Sequence, residues 1–225
     1  TNLSAGTYTC TVTDANGCSQ TITISITEPD LITTGLTVTN SSCNGANNGT
    51  AQVNPTGVTG ANFDVLFNGM LSGTNAIPLT PGFYVVEVIN TMTGCSSGLQ
   101  SFAINEPDPL TTAAITTVDV ICNGDLSGSI TVTAIGGTAP YSYTLIDAGG
   151  TTISVNNAGS FTGLPAGDYT CTIIDANACP SYTTPFITIV EPPQLSIIAT
   201  ATATNCSGAN DGTATAIVSG GTSPY

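Results

Sequence analysis

Residues 3–18 read "LSAGTYTCTVTDANGC", and residues 164–179 read "LPAGDYTCTIIDANAC". In each copy apolar residues alternate with Thr or Asp, as in Tyr8, Cys10 and Val12 or Tyr169, Cys171 and Ile173. Alternation with a period of two is the pattern of a strand that buries one face. The "DAN" that follows is turn chemistry, because Asp and Asn fold their side chains back onto the local backbone. Each stretch therefore predicts a strand entering a hairpin turn, and the near-identity of two distant copies predicts a repeat.

Three further markers recur in step. "EP" stands at Glu28-Pro29, Glu106-Pro107 and Glu191-Pro192, at intervals of 78 and 85 residues. "CNGANNGTA" from Cys43 returns as "CNGDLSGSI" from Cys122 and "CSGANDGTA" from Cys206. "GGTAPY" at 136–141 returns as "GGTSPY" at 220–225. The opening motif has a degenerate middle copy, "LTPGFYVVEVINTMTGC", at 79–95. The chain is thus expected to hold the C-terminal strands F and G of one repeat (1–29), two complete repeats (30–107 and 108–192) and the N-terminal strands A and B of another (193–225). It opens and closes in mid-pattern, which reads as a window of a longer protein.

Repeats of about 80 residues suit a small β-sandwich. In 108–192 the alternation predicts strand A over 110–121, B over 129–135 and C over 141–147. Two short strands follow at 152–155 and 159–162, then F over 167–174 and G over 182–190. The inward positions repeat: Ile130 and Val132 match Ala51 and Val53, then Ala214 and Ala216. Likewise Tyr169, Cys171 and Ile173 match Tyr84, Val86 and Val88, then Tyr8, Cys10 and Val12. In strand G, Ile187 and Ile189 match Phe102 and Ile104, then Ile24 and Ile26. The Tyr of strand F is expected to anchor a corner of the sandwich. The fold class expected is all-β: tandem immunoglobulin-like (PKD/fibronectin-like) seven-strand sandwiches arranged as an extended filament.

Composition narrows the function. The chain has 225 residues, 14 acidic groups and no Lys, Arg or His, for a net charge of −14. Without cations there is nothing to neutralise phosphate, which argues against nucleic-acid binding and attachment to anionic lipid. No run reaches 18 apolar residues, so no membrane insertion is expected. With no His or Lys to serve as a base and the acids scattered, no catalytic residue, cofactor or enzymatic activity is expected. Isopeptide crosslinks are ruled out for want of Lys. Oxygen-rich loops 123–128 and 207–212 offer Asp125 and Asp211 as weak Ca²⁺ candidates, but one carboxylate per loop falls short of the usual ligand set.

Eight cysteines without His suggest disulfides in an oxidising, extracellular setting. Cys10 and Cys171 lie on inward faces where Val86 stands in the sister repeat, so they are expected to be buried free thiols. Cys43, Cys122 and Cys206 close strand A, whereas Cys18, Cys95 and Cys179 follow the F–G turn. In a sandwich these classes sit at opposite poles about 20 Å apart, beyond the roughly 7 Å a disulfide spans. The expectation is therefore a bridge between repeats, Cys43–Cys179, with Cys122 pairing to the following repeat and Cys95 to the preceding one. The alternative is a bridge within each repeat, Cys43–Cys95 and Cys122–Cys179. Either contributes roughly 2–4 kcal/mol.

The markers "C-N-G-x-x-x-G", "GGTAPYSYT", "LPAGDYTCTIIDANAC" and the closing "EP" together resemble the SprB repeat of giant cell-surface adhesins of gliding Bacteroidota. Repeat 30–107 departs from the pattern by reading "TGVTGANFD" in place of "GGT.PY". The resemblance implies export by type IX secretion and display at the cell surface. It also implies partnership with the gliding and secretion machinery, with external substratum or polysaccharide gripped by other regions. The expected function is a stiff spacer in surface attachment and gliding motility, with neighbouring repeats as immediate partners. Two other readings are a polysaccharide-binding module, which would show rows of exposed aromatics, and an ice- or mineral-binding Thr surface.

Overall fold

The computed structural model describes residues 2–57 and 62–225. Part of the departing stretch in repeat 30–107, positions 58–61, lies outside the described residues. Among those described there is no helix; all regular structure is antiparallel β. The chain forms two compact units, one of residues up to Asn40 with Asn47–Asn105, the other of Ser41–Ala46 with Glu106–Tyr225. Loop 41–46 of the first complete repeat thus groups with the second unit.

The second unit shows most plainly how sequence becomes fold. Strands β10 (Thr111–Val118), β11 (Gly128–Ile135) and β14 (Ser160–Leu164) form one sheet. The other contains β12 (Ser142–Asp147), β13 (Thr152–Asn156), β15 (Gly167–Ile174), β16 (Tyr182–Thr183) and β17 (Ile187–Ile189). The inward sets pack between them: Ile130, Val132, Leu145, Phe161, Tyr169, Cys171, Ile173, Ile187 and Ile189 are all buried. Burying each large aliphatic side chain stabilises the sandwich by about 1.5–3 kcal/mol, and the alternation read from sequence supplies that face.

Two strands differ from expectation. Strand A ends at Val118 because the next residues are drawn into the loop: Val120 N–H donates to Val190 O (3.0 Å), and the Asp119 carboxylate accepts Val190 N–H (3.0 Å). Strand G is broken into β16 and β17 around Thr184-Pro185. Pro185 has no N–H for the ladder. Thr184 fills the gap, its N–H donating to Cys171 O (3.0 Å) and its hydroxyl accepting Cys171 N–H (2.9 Å).

The first unit repeats the plan. Its strands are β3 (Leu36–Thr39), β4 (Gly49–Val53), β5 (Phe63–Phe67), β6 (Met70–Ser72), β7 (Ile77–Leu79), β8 (Gly82–Asn90) and β9 (Gln100–Ile104). They form sheets β3-β4-β7 and β6-β5-β8-β9 around Ala51, Val53, Val65, Val86 and Val88. This unit also holds the hairpin β1 (Gly6–Thr13) and β2 (Ser19–Ile26); the second holds the hairpin β18 (Ser196–Thr202) and β19 (Thr213–Ser219).

In both hairpins the residues predicted to face inward are uncovered. Cys10, Val12, Ile24, Ile26, Ala214 and Ala216 are exposed, because among the described residues no second sheet packs on them. Cys10, expected to be a buried thiol, is therefore a surface thiol.

The Tyr of strand F closes the same corner three times. Its hydroxyl donates to the carbonyl four residues upstream: Tyr8 to Ser4 (2.8 Å), Tyr84 to Thr80 (2.8 Å) and Tyr169 to Pro165 (2.9 Å). A donor satisfied this close in sequence pins the turn before strand F whether or not a core covers it.

Candidate functional site

The four sequence markers converge on two ends of the 108–192 sandwich. At the entry end, Gly137 N–H donates to Asp108 O (2.8 Å) and the Tyr141 hydroxyl to Gly136 O (2.7 Å). The Asp175 carboxylate, buried at the F–G turn, accepts Thr138 N–H and Cys179 N–H, each at 2.9 Å. Gly136 has φ +74°, and a Cβ there would lie 2.0 Å from Pro109 O, so only Gly permits this approach.

At the exit end sits the Cys-Asn-Gly loop. The Asn123 side-chain amide donates to Pro192 O (3.1 Å), and Gly124 N–H donates to the Glu191 carboxylate (2.7 Å). Loop 43–46 does the same one repeat earlier: Asn44 donates to Pro107 O (3.1 Å) and Gly45 N–H to Glu106 (2.5 Å). The "C-N-G" and "E-P" markers are thus two halves of one clasp. A backbone N–H donating to a carboxylate is a charge-assisted bond, roughly twice as strong as a neutral one. The one-to-one occurrence of the two markers in both complete repeats is the sequence signal of this clasp.

The two kinds of end meet inside the second unit. Cys43, from the clasped loop 43–46, is bonded to Cys179, just past the F–G turn of the following repeat. The Cα atoms lie 5.5 Å apart and the separation in sequence is 136 residues. Asn177, in that turn, donates its side-chain amide to Ser42 O (2.8 Å) and to Thr138 Oγ1 (3.1 Å). A crevice of 330 Å³ remains there, lined in part by Asn44, Asp108, Cys179 and Tyr182.

The other cysteines are free among the described residues. Cys95 and Cys122 are exposed, so neither member of the alternative pairs Cys43–Cys95 and Cys122–Cys179 is formed. Cys18 and Cys206 are exposed as well. Cys171 is buried, and burial pushes its thiol up to about 11, against a smaller lowering by the Thr144 backbone hydrogen bond.

The Ca²⁺ candidates are occupied by their own loops. Asp125 accepts Leu126 N–H (2.8 Å). Asp211 accepts Asn205 N–H (3.1 Å) and the Asn205 side-chain amide, and these bonds hold its carboxyl below the usual range. Among the described residues no three His, Cys, Asp or Glu side chains gather as a metal cluster, and no helix is long and apolar enough to cross a membrane.

The family model of the SprB repeat matches residues 35–63 and 114–150, one segment in each complete repeat. No curated protein matches the chain. Both matched segments start in or just before strand A, run through the Cys-Asn-Gly loop, and end in strand C or at the turn after it. The chain thus carries SprB-repeat segments in both complete repeats, and that repeat family is one of cell-surface adhesins.

Proposed function

We propose that this segment is a stiff spacer in a very long secreted filament. Its repeats hold an adhesive region away from the cell in surface attachment and gliding. The observation that carries this reading is the Cys43–Cys179 bridge, which ties the exit loop of one sequence repeat to the entry turn of the next. A bridge at that place limits bending where a chain of sandwiches would otherwise hinge. The Asn44–Pro107 and Gly45–Glu106 bonds hold the same loop against the linker itself. Length then grows with copy number, since each repeat needs only its neighbours.

The charge supports an extended form. With a net charge of −14 and no cation, segments of the filament repel one another and have no ion pairs with which to collapse. Type IX export, partnership with the gliding machinery and a non-enzymatic role belong to this same reading.

Imaging of the purified chain with and without reductant tests it. The expected result is a thin beaded rod that bends more freely after reduction. A round particle, or a rod equally flexible in both conditions, contradicts the spacer role.

A further inference from the structure

We infer that the crevice beside Cys95 is a receptor for the Cys-Asn-Gly loop of another SprB-type repeat, closed by a disulfide to Cys95. The crevice lies wholly within the first unit, has a volume of 720 Å³, and is lined by Glu28, Pro29, Asp30, Gly57, Asn90 and Cys95 among others. It is the counterpart of the one beside Cys179. Gly57 has φ +74°, and a Cβ there would lie 2.2 Å from Leu31 O, as one at Gly136 would lie 2.0 Å from Pro109 O. Asn90 holds the F–G turn where Asp175 does, its side-chain oxygen accepting Met92 N–H (3.0 Å) and Thr93 N–H (3.2 Å).

At the filled crevice three groups hold the loop: the Glu106 carboxylate takes Gly45 N–H, Pro107 O takes the Asn44 amide, and Cys179 takes Cys43. The open crevice offers the same three in the same order of chain: Glu28, Pro29 and Cys95. Its volume is 720 Å³ where the filled one retains 330 Å³.

The loop is shaped before it docks. Ala46 N–H donates to Cys43 O (3.2 Å) in the bonded loop, and Asp125 N–H donates to Cys122 O (3.1 Å) in the loop whose thiol is free. Gly45 and Gly124 have φ of +72° and +78°. A loop that holds its bound shape beforehand loses little entropy on docking. This concerns how repeats interlock and holds whatever the filament grips.

The test uses a synthetic peptide with the sequence of residues 118–128, its cysteine carried as a mixed disulfide with thionitrobenzoate. The Cys95 thiolate attacks the peptide sulfur, the new disulfide forms, and thionitrobenzoate leaves as a thiolate; the mixed disulfide supplies the oxidation. Labelling of each cysteine in the whole chain is followed by mass mapping. Docking raises the effective concentration at Cys95, so the native peptide should label it about tenfold faster than a scrambled peptide. Cys18, an exposed post-turn thiol outside the crevice, should show less than about a twofold preference, and Glu28→Ala should cut the preference at Cys95 to about threefold or less. Equal rates for the two peptides at Cys95, an equal preference at Cys18, or a preference untouched by Glu28→Ala would each overturn the inference.

Discussion

Strand β1 with its turn and strand β15 with its turn are nearly the same sixteen residues in two settings. In both, Tyr closes its corner through the carbonyl four residues upstream, and Asp at the turn accepts the N–H of the following Cys, at 2.9 Å in each. What differs is cover. Ile173 and Cys171 are sealed between sheets at 0% exposure, whereas Val12 is 67% exposed and Cys10 lies at the surface. The turn and strand are thus set by local chemistry. The core is set by the facing sheet, which 108–192 supplies from its own strands.

The largest contrast should be in packing. Ile173→Ala is expected to cost about 2–5 kcal/mol through lost burial and a cavity. Val12→Ala, on the bare copy of the face, should stay within about 0.5 kcal/mol. Denaturant unfolding of both variants measures this, and similar losses would mean that the hairpin face is covered in solution.

Next comes the turn. Asp175 is buried and takes two backbone N–H groups, one from the neighbouring 136–141 turn, so Asp175→Ala should cost about 1–3 kcal/mol. Among the described residues Asp14 accepts from its own turn alone, at Asn16 N–H and Cys18 N–H, and its replacement by Ala should cost less. Asp175→Asn should be milder than Asp175→Ala, since Asn90 serves at the same place in the sister repeat.

The thiols separate the two settings by pH. Burial raises the Cys171 thiol from an ordinary 9.0 to about 11, so the folded state resists ionisation that the unfolded chain accepts. The contribution is whole below about pH 9 and is lost as pH climbs towards about 11. Thermal melts of the parent chain and of Cys171→Val, compared between about pH 8 and about pH 10.5, should show a smaller alkaline loss for the variant. Equal losses would contradict this account of the site. Val86, fully buried at the same place in the sister repeat, indicates that the substitution packs.

The smallest effect is conformational. Ala178 has φ +53° where the other copy has Gly17 at φ +87°. Ala178→Gly should therefore stabilise by up to about 1 kcal/mol, and Gly17→Ala should do the reverse. Calorimetry of the first variant, showing a lower melting temperature, would count against strain at that turn.

Much of the fold is legible in the residues because alternation and turn chemistry act locally. Strand F was expected over 167–174 and is found at Gly167–Ile174; the inward set of 108–192 lies in the observed core, as do Ala51, Val53, Val86 and Val88 of 30–107, while Tyr84 and Phe102 are half-buried. Strand G was harder, because Thr184 mimics a ladder partner through its hydroxyl where Pro185 breaks the run. At the candidate site, the two classes of cysteine were readable from register. The clasp between Asn44, Gly45 and Glu106-Pro107 was not, because those groups are more than 60 positions apart and meet only when strand G returns beside the A–B loop.

Non-reducing peptide mapping of the oxidised chain, cut at Asp and Glu because trypsin has no site, addresses the interlocking of repeats head on. The expected product is a linked peptide carrying Cys43 and Cys179. A linked pair of Cys122 with Cys179, or of Cys43 with Cys95, would contradict it.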